Sequence, residues 1–175
     1  MPAFHIAPAT LADAPAIAEL YAHHVLHGTA SFEITPPGAE EIAARIGKVL
    51  EKGWPWLVAR DEDGTVLGYA YVGQLGPREA YAHACEDSIY LRHDRLGQGI
   101  GGALLAALID AAAAAGFRQM VALITGSESP SVALHARHGF VHGGVQRSVG
   151  WKHGRWLDVI QMQRALGDGD VSAPA

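Results

Sequence analysis

The spacing of apolar residues changes repeatedly along this 175-residue chain, and each change marks a boundary between elements. Phe4-His5-Ile6-Ala7 alternates with a period of two and predicts a short strand. Thr10-Leu11-Ala12-Asp13 then has the form of a capping box and predicts a helix through about Leu26. Charged and apolar residues at helical spacing predict a second helix over Glu40 to Leu50, with Pro37 near its first turn and Gly53 as its stop. Trp56 to Arg60 and Thr65 to Val72 are β-rich runs joined by Asp61-Glu62-Asp63-Gly64, which predicts an antiparallel hairpin. Ser88 to Leu91 reads as the next strand. A helix follows from about Gly99 to Ala115, with Leu104, Leu105, Leu108 and Ile109 on one face and Gly116 as its C-cap. Met120 to Ile124 reads as a buried strand, Ser131 to His138 as a short helix closed by Gly139, and Phe140 to Val149 with Leu157 to Met162 as a final β pair. The order β-α-α-β-β-β-α-β-α-β-β is a mixed α/β layout without internal repeats. Residues 1–166 are expected to form one domain and 167–175, polar and small, a flexible tail.

Composition narrows the partners. A hydrophobic fraction of 49% suffices for one full core, and a formal net charge of -5 lacks the clustered Lys and Arg that nucleic acid demands. A small molecule is the expected partner. The single Cys85 has no mate for an internal disulfide, and the first residues lack the basic and apolar regions of a secretory signal, so a cytoplasmic location is expected. No membrane span is expected, because the apolar run at Ala111 to Ala115 is bounded by Asp110 and Gly116.

The stretch Leu96-Gly97-Gln98-Gly99-Ile100-Gly101-Gly102 between a strand and a long helix is the most informative in the chain. Glycines let the backbone approach a ligand and aim several N–H groups at one point, while the helix start adds positive potential; a phosphate or pyrophosphate suits such a place. A tight connection needs fewer than these four glycines. Gly97, Gly99 and Gly102 also satisfy the dinucleotide fingerprint, but the turn follows a hairpin in mid-chain, and the strand Met120 to Ile124 ends without the acid that would bind a ribose. A phosphate loop of the Gly-Lys-Ser or Gly-Lys-Thr kind is absent.

The run Tyr90-Leu91-Arg92-His93-Asp94-Arg95-Leu96-Gly97-Gln98-Gly99-Ile100-Gly101 resembles the acetyl-CoA signature of the GNAT N-acetyltransferases. Within that superfamily, Ala30-Ser31-Phe32-Glu33, Cys85-Glu86-Asp87-Ser88-Ile89-Tyr90, Ser131-Val132-Ala133-Leu134-His135 with Gly139-Phe140, and Gly150-Trp151-Lys152-His153-Gly154-Arg155-Trp156-Leu157-Asp158 resemble the phosphinothricin and methionine sulfoximine N-acetyltransferases. The resemblance implies a mostly antiparallel twisted sheet flanked by helices. It also implies acetyl-CoA held by Ile89, Tyr90, Leu91, Gly97, Gln98, Gly99, Ile100, Gly101 and Gly102, with Glu128 and Ser131 nearby. Two positions depart from the family: Leu96 stands where the signature has Gln or Arg, and Glu128 where relatives often have an Asn. Backbone amides hold a pyrophosphate regardless of Leu96, whereas a carboxylate at 128 accepts hydrogen bonds and cannot donate them.

Acetyl transfer to an amine needs a neutral amine and a route for its proton. The resemblance makes Glu86 the base. Successive strand residues point to opposite faces, so only one of Glu86 and Asp87 is expected to look into a cleft. His135 stands where many relatives carry a Tyr near the CoA sulfur, which implies either an acid for the departing thiolate or a packed structural His. Arg78 and Tyr81 fall on a loop that the resemblance places over the acceptor, where a guanidinium suits an amino-acid carboxylate; Phe32, Glu33 and Lys152 are further substrate candidates. The segment with Lys152, Trp156 and Asp158 implies a homodimer. No metal is expected: His23 and His27 have i, i+4 spacing without the rest of a ligand set. Cys85 reads as a small half-buried residue. The rival functions are a non-catalytic acyl-CoA sensor and a nicotinamide-dependent oxidoreductase.

Overall fold

The computed structural model describes residues 3–126 and 130–174. The elements are β1 (Phe4–Pro8), α1 (Ala14–His27), α2 (Ala39–Glu51), β2 (Trp56–Asp61), β3 (Val66–Gln74), β4 (Ala84–Leu91), α3 (Ile100–Ala114), β5 (Gln119–Thr125), α4 (Pro130–Arg137), β6 (Val141–Lys152) and β7 (Arg155–Ala165), with short 3-10 turns at Leu11–Asp13, Glu79–Tyr81 and His93–Arg95. This is the element order expected from the sequence.

Boundaries moved for local reasons. Thr10 and Asp13 do form a capping box, but on the 3-10 turn; α1 begins at Ala14, with Pro15 in its first turn, where a missing N–H costs nothing. Asp13 also binds the Arg60 guanidinium. Pro37 lies before α2, whose N-cap is Gly38. β4 starts at Ala84, four residues before the run that signalled it, because Ala84, Cys85 and Glu86 pair with Gln119, Met120 and Val121.

The strands form one seven-stranded sheet in the order β1-β2-β3-β4-β5-β7-β6. All neighbours are antiparallel except β4 and β5. Period-two strands bury both faces here. On one face α1 and α2 cover Trp56, Val58, Val66 and Tyr69 with Ile17, Tyr21, Ile42 and Ile46. On the other, α3 supplies Leu104, Leu105 and Leu108 against Leu57, Ala70, Val72, Met120 and Ile160. The tail is tied to Arg118, whose Nη2 donates to Ser172 Oγ at 2.9 Å and whose Nη1 lies 3.4 Å from Asp168.

The feature that positions the site is a failure of pairing. β4 and β5 pair only over Ala84–Glu86 and Gln119–Val121, while β4 remains bonded to β3 as far as Leu91 and β5 to β7 as far as Thr125. Beyond Glu86 the two parallel strands splay and leave a wedge through the sheet.

Candidate active site

The wedge holds a cavity of ≈ 440 Å³ with Glu86 and Asp87 near its vertex and residues 88–91 of β4 and 122–125 of β5 along its sides. Register sorts the β4 side chains by face. Tyr71 lies opposite Ser88, Gly73 opposite Glu86 and Glu86 opposite Val121, so Glu86, Ser88 and Tyr90 share the α1/α2 face. Cys85, Asp87, Ile89 and Leu91 take the α3/α4 face. The expectation that only one of Glu86 and Asp87 can reach the cleft is corrected: the cleft passes through the sheet, so both line it, from opposite faces.

Glu86 is half-buried. Burial first, and then the Asp87 charge, raise its pKa above the ordinary carboxylate value, making it a stronger base than a solvated glutamate. Asp87 is fixed differently. Its Oδ2 lies 3.0 Å from His135 Nε2, with only 1% of the Asp87 and 2% of the His135 side chain exposed. His135 Nδ1 lies 2.7 Å from the Ser131 carbonyl oxygen, which only accepts, so Nδ1 carries a proton. A further proton must then sit in the Nε2–Oδ2 bond, since two lone pairs would otherwise face each other. Burial works against the charged imidazole, but Asp87 and the Ser131 carbonyl outweigh it and the His135 pKa is raised. The pair therefore joins β4 to α4 as a neutral, proton-holding unit, while Asp87 Oδ1 is buried without a partner among the described residues.

Above the wedge, the glycine turn reaches α3. Gly97 and Gly99 have φ of 74° and 83°, a region costly for other residues, and Gly99 is the N-cap. The first helical bond runs from Ala103 N to Gly99 O at 3.1 Å, which leaves the amides of Ile100, Gly101 and Gly102 without an intrahelical acceptor. Arg95 Nε and Gln98 Oε1 in the same turn are buried and have no hydrogen-bond partner among the described residues. Leu96, exposed, lines the cavity and leaves these amides in place.

The predicted site residues therefore fall into groups. Glu86, Ile89, Tyr90, Leu91, Ser131 and His135 converge on one cavity, and Gly97 to Gly102 form the adjoining turn. Glu128 lies outside the described residues. Arg78 and Tyr81 are exposed beyond the cavity lining, and Tyr81 packs its ring on Gly76. Glu33 accepts from Arg45 at 2.7 Å and from Tyr21 at 3.1 Å. Lys152 is buried and donates to the Ser31 carbonyl at 2.6 Å; burial lowers its pKa, with Glu33 opposing. Phe32 rests over Gly150. Asp158 is used within the chain, accepting from Ser148 N at 2.8 Å. Cys85, fully buried, has a thiol pushed up to about 12 by burial and by Asp87, which suits packing and not nucleophilic attack.

Sequence reasoning missed His24 and Arg95, and named Asp87 only as the alternative to Glu86. His24 lines the cavity and donates Nε2–H to Leu91 O at 2.7 Å; Asp87 is the buried partner of His135; Arg95 brings to the turn a donor with no partner among the described residues. Only Asp87 carried a signal, as an acid inside a strand. Among the described residues no cluster of three or more His, Cys, Asp or Glu is placed to hold a metal ion.

A strand edge that β5 leaves unpaired, a helix start whose first amides have no intrahelical acceptor and a carboxylate at the vertex suit one class, a group-transfer enzyme that takes a pyrophosphate-bearing carrier. The family follows from comparison. A family model described as Acetyltransferase (GNAT) domain matches residues 6–161, and the chain belongs to that family. It is 49% identical over 163 residues to the phosphinothricin N-acetyltransferase of Alcaligenes faecalis, covering 93% of this chain and 82% of the relative. It is 41% identical to the L-methionine sulfoximine/L-methionine sulfone acetyltransferase of Pseudomonas paraeruginosa, covering 97% and 98%. Among solved structures, a GNAT superfamily phosphinothricin acetyltransferase from Sinorhizobium meliloti in complex with AcCoA superposes with a TM-score of 0.96 at 45% identity, covering 98% and 93%. This chain is an acetyl-CoA-dependent N-acetyltransferase. The nicotinamide reading gives way to it.

Proposed function

We propose that the enzyme acetylates the α-amino group of an amino-acid analogue of the phosphinothricin or methionine sulfoximine type, by direct attack within a ternary complex. The observation that carries this reading is Glu86 at the wedge vertex, on the sheet face opposite the Asp87–His135 pair. Acetyl-CoA would lie along the free edge of β4 at Ile89 to Leu91, with its pyrophosphate on the amides of the Gly97 to Gly102 turn, as suits their unpaired N–H groups and the α3 dipole. Ser131, at the start of α4, and Glu128 would flank the pantetheine arm. The acceptor would approach from the α1/α2 face, bounded by Phe32 and Glu33, with Arg78 and Tyr81 on the neighbouring loop and Arg78 suited to the carboxylate.

Glu86 takes a proton from the acceptor ammonium, directly or through one water, and the neutral amine attacks the thioester carbonyl. The C–N bond forms, the C–S bond breaks, and the thiolate leaves as CoA. The second proton, which the nitrogen loses as the amide forms, passes through water to this thiolate, so that CoA departs as the thiol. Both His135 nitrogens are already engaged, so the acid role expected of His135 is replaced here by a positioning role on α4.

We further propose a homodimer through the β6 edge of the sheet, where Val145, Val149 and Trp151 are exposed on the outermost strand and Trp156 is exposed beside them at the start of β7. An acetyl-CoA-using enzyme fits a cytoplasmic setting. No described helix is long and apolar enough to cross a membrane.

The test is an acceptor panel read by CoA release and mass of the product. Methionine sulfoximine, methionine sulfone and phosphinothricin should gain one acetyl group on nitrogen. Acetyl-CoA binding with no turnover on any amine would instead support a sensor.

A further inference from the structure

Between α1 and α2 the chain crosses the wedge on the Glu86 face. α1 packs against β3 and β4 on one side of the opening, and residues 28–32 span to the tip of the β6–β7 hairpin on the other. Residues 28–30 line the cavity as they cross. Two hydrogen bonds fasten the strap to the hairpin, one near each of its ends: Lys152 Nζ donates to Ser31 O at 2.6 Å, and the His153 ring nitrogen lies 3.1 Å from Gly28 O. Tyr21 OH at 2.6 Å from Ser31 Oγ and Arg45 on Glu33 return the chain to the helices. Between the fasteners, Phe32 lays its ring on Gly150. A Cβ at 150 would stand 2.5 and 2.9 Å from Phe32 Cε2 and Cε1, and closer still to Cζ. Gly150 does not have the positive φ that favours glycine, so what this position demands is space for the ring. Register puts that space on the acceptor side: Gly150 lies opposite Leu157, two residues from Val159, which pairs with Thr125 on the face shared by Leu123, Val121 and Glu86.

We infer that Gly150 is a specificity-determining residue of the acetyl transfer: by seating the Phe32 ring it sets the depth of the strap over the wedge, and so the acceptor side chain that fits beneath it. This rests on the acceptor assignment proposed above. The ring tip is movable, so a methyl at 150 displaces Phe32, and residues 28–30 with it, before it disturbs the sheet.

The experiment is a double-mutant cycle of Gly150→Ala and Phe32→Leu, the second removing the ring atoms that collide. Steady-state kinetics with methionine sulfoximine and phosphinothricin, and hydrogen exchange at residues 28–31, are measured for all four proteins. Gly150→Ala alone should cost about tenfold in acceptor kcat/KM, through KM, while the KM for acetyl-CoA stays put. In the Phe32→Leu background the same methyl should cost less than about twofold. Exchange at 28–31 should rise in the single variant and return towards the Phe32→Leu level in the double one. Should Gly150→Ala fail to fold, Lys152→Met cuts the neighbouring fastener and must raise acceptor KM and exchange in the same way. Equal penalties in both backgrounds, or an acetyl-CoA KM that moves with the acceptor KM, would overturn the inference. A wild type that acetylates neither acceptor would count against the function, and the exchange cycle would still decide the seat.

Discussion

At the scale of single residues, the Asp87–His135 pair shows how a polar strand position becomes buried. Its hydrogen bond joins residues 48 apart, so no local periodicity announces it. Since the folded His135 pKa is raised above the ordinary imidazole value of 6.5, its stabilisation is complete below that pH and is lost as pH rises through the higher folded value. Asp87→Asn removes the charge and keeps the shape. Removing one partner of a buried pair costs on the order of 3 kcal/mol. Thermal unfolding should therefore give a Tm gap between wild type and Asp87→Asn that is widest near pH 6 and narrows on the alkaline side. A gap independent of pH would mean that His135 is held neutral.

At the scale of elements, the cofactor side was the more legible half. Glycines at 97, 99, 101 and 102 beside an apolar-faced helix announced a turn with free amides, and Gly97 and Gly99 do take left-handed φ. Gly99→Val has two reasons to fail there, strain at φ 83° and, on the proposed cofactor placement, bulk against the pyrophosphate. Calorimetric titration should show acetyl-CoA affinity reduced by at least about tenfold, the scale of 1.4 kcal/mol. Unchanged affinity would move the pyrophosphate elsewhere. The strands were legible where apolar residues alternate, as in β3 and β5. The first half of β4 was hidden because Glu86 and Asp87 interrupt that alternation; pairing with β5 extends the strand through them.

At the scale of the whole molecule, the proposed acceptor side was hidden because it is assembled from distant segments. Lys152 and Ser31 are 121 residues apart and His153 and Gly28 are 125 apart, separations that spacing arguments cannot span. The outer strand β6 has an exposed apolar edge with Trp151 and Trp156 in edge-to-face contact at 5.2 Å. Light scattering at micromolar concentration should find a dimer, and Trp156→Glu should shift it to monomer; a monomeric wild type would contradict the proposed interface.

In the proposed mechanism the sheet divides the labour, with the acceptor served by Glu86 on one face and the carrier held from the other. The pH dependence of Glu86→Gln tests it most directly. The α-amino group has a pKa of roughly 7.7 to 8.0, and general-base help is worth about 10² to 10⁴ in rate. Wild-type kcat/KM should rise along an acid limb lying above the ordinary carboxylate range, as the raised Glu86 pKa requires. In Glu86→Gln, kcat at pH 7 should fall by about 10² or more while the KM for acetyl-CoA holds, that limb should vanish, and higher pH should restore part of the rate as solvent deprotonates the amine. Wild-type kcat in Glu86→Gln at pH 7, with the loss appearing in Asp87→Asn, would contradict the account and exchange the roles of the two faces.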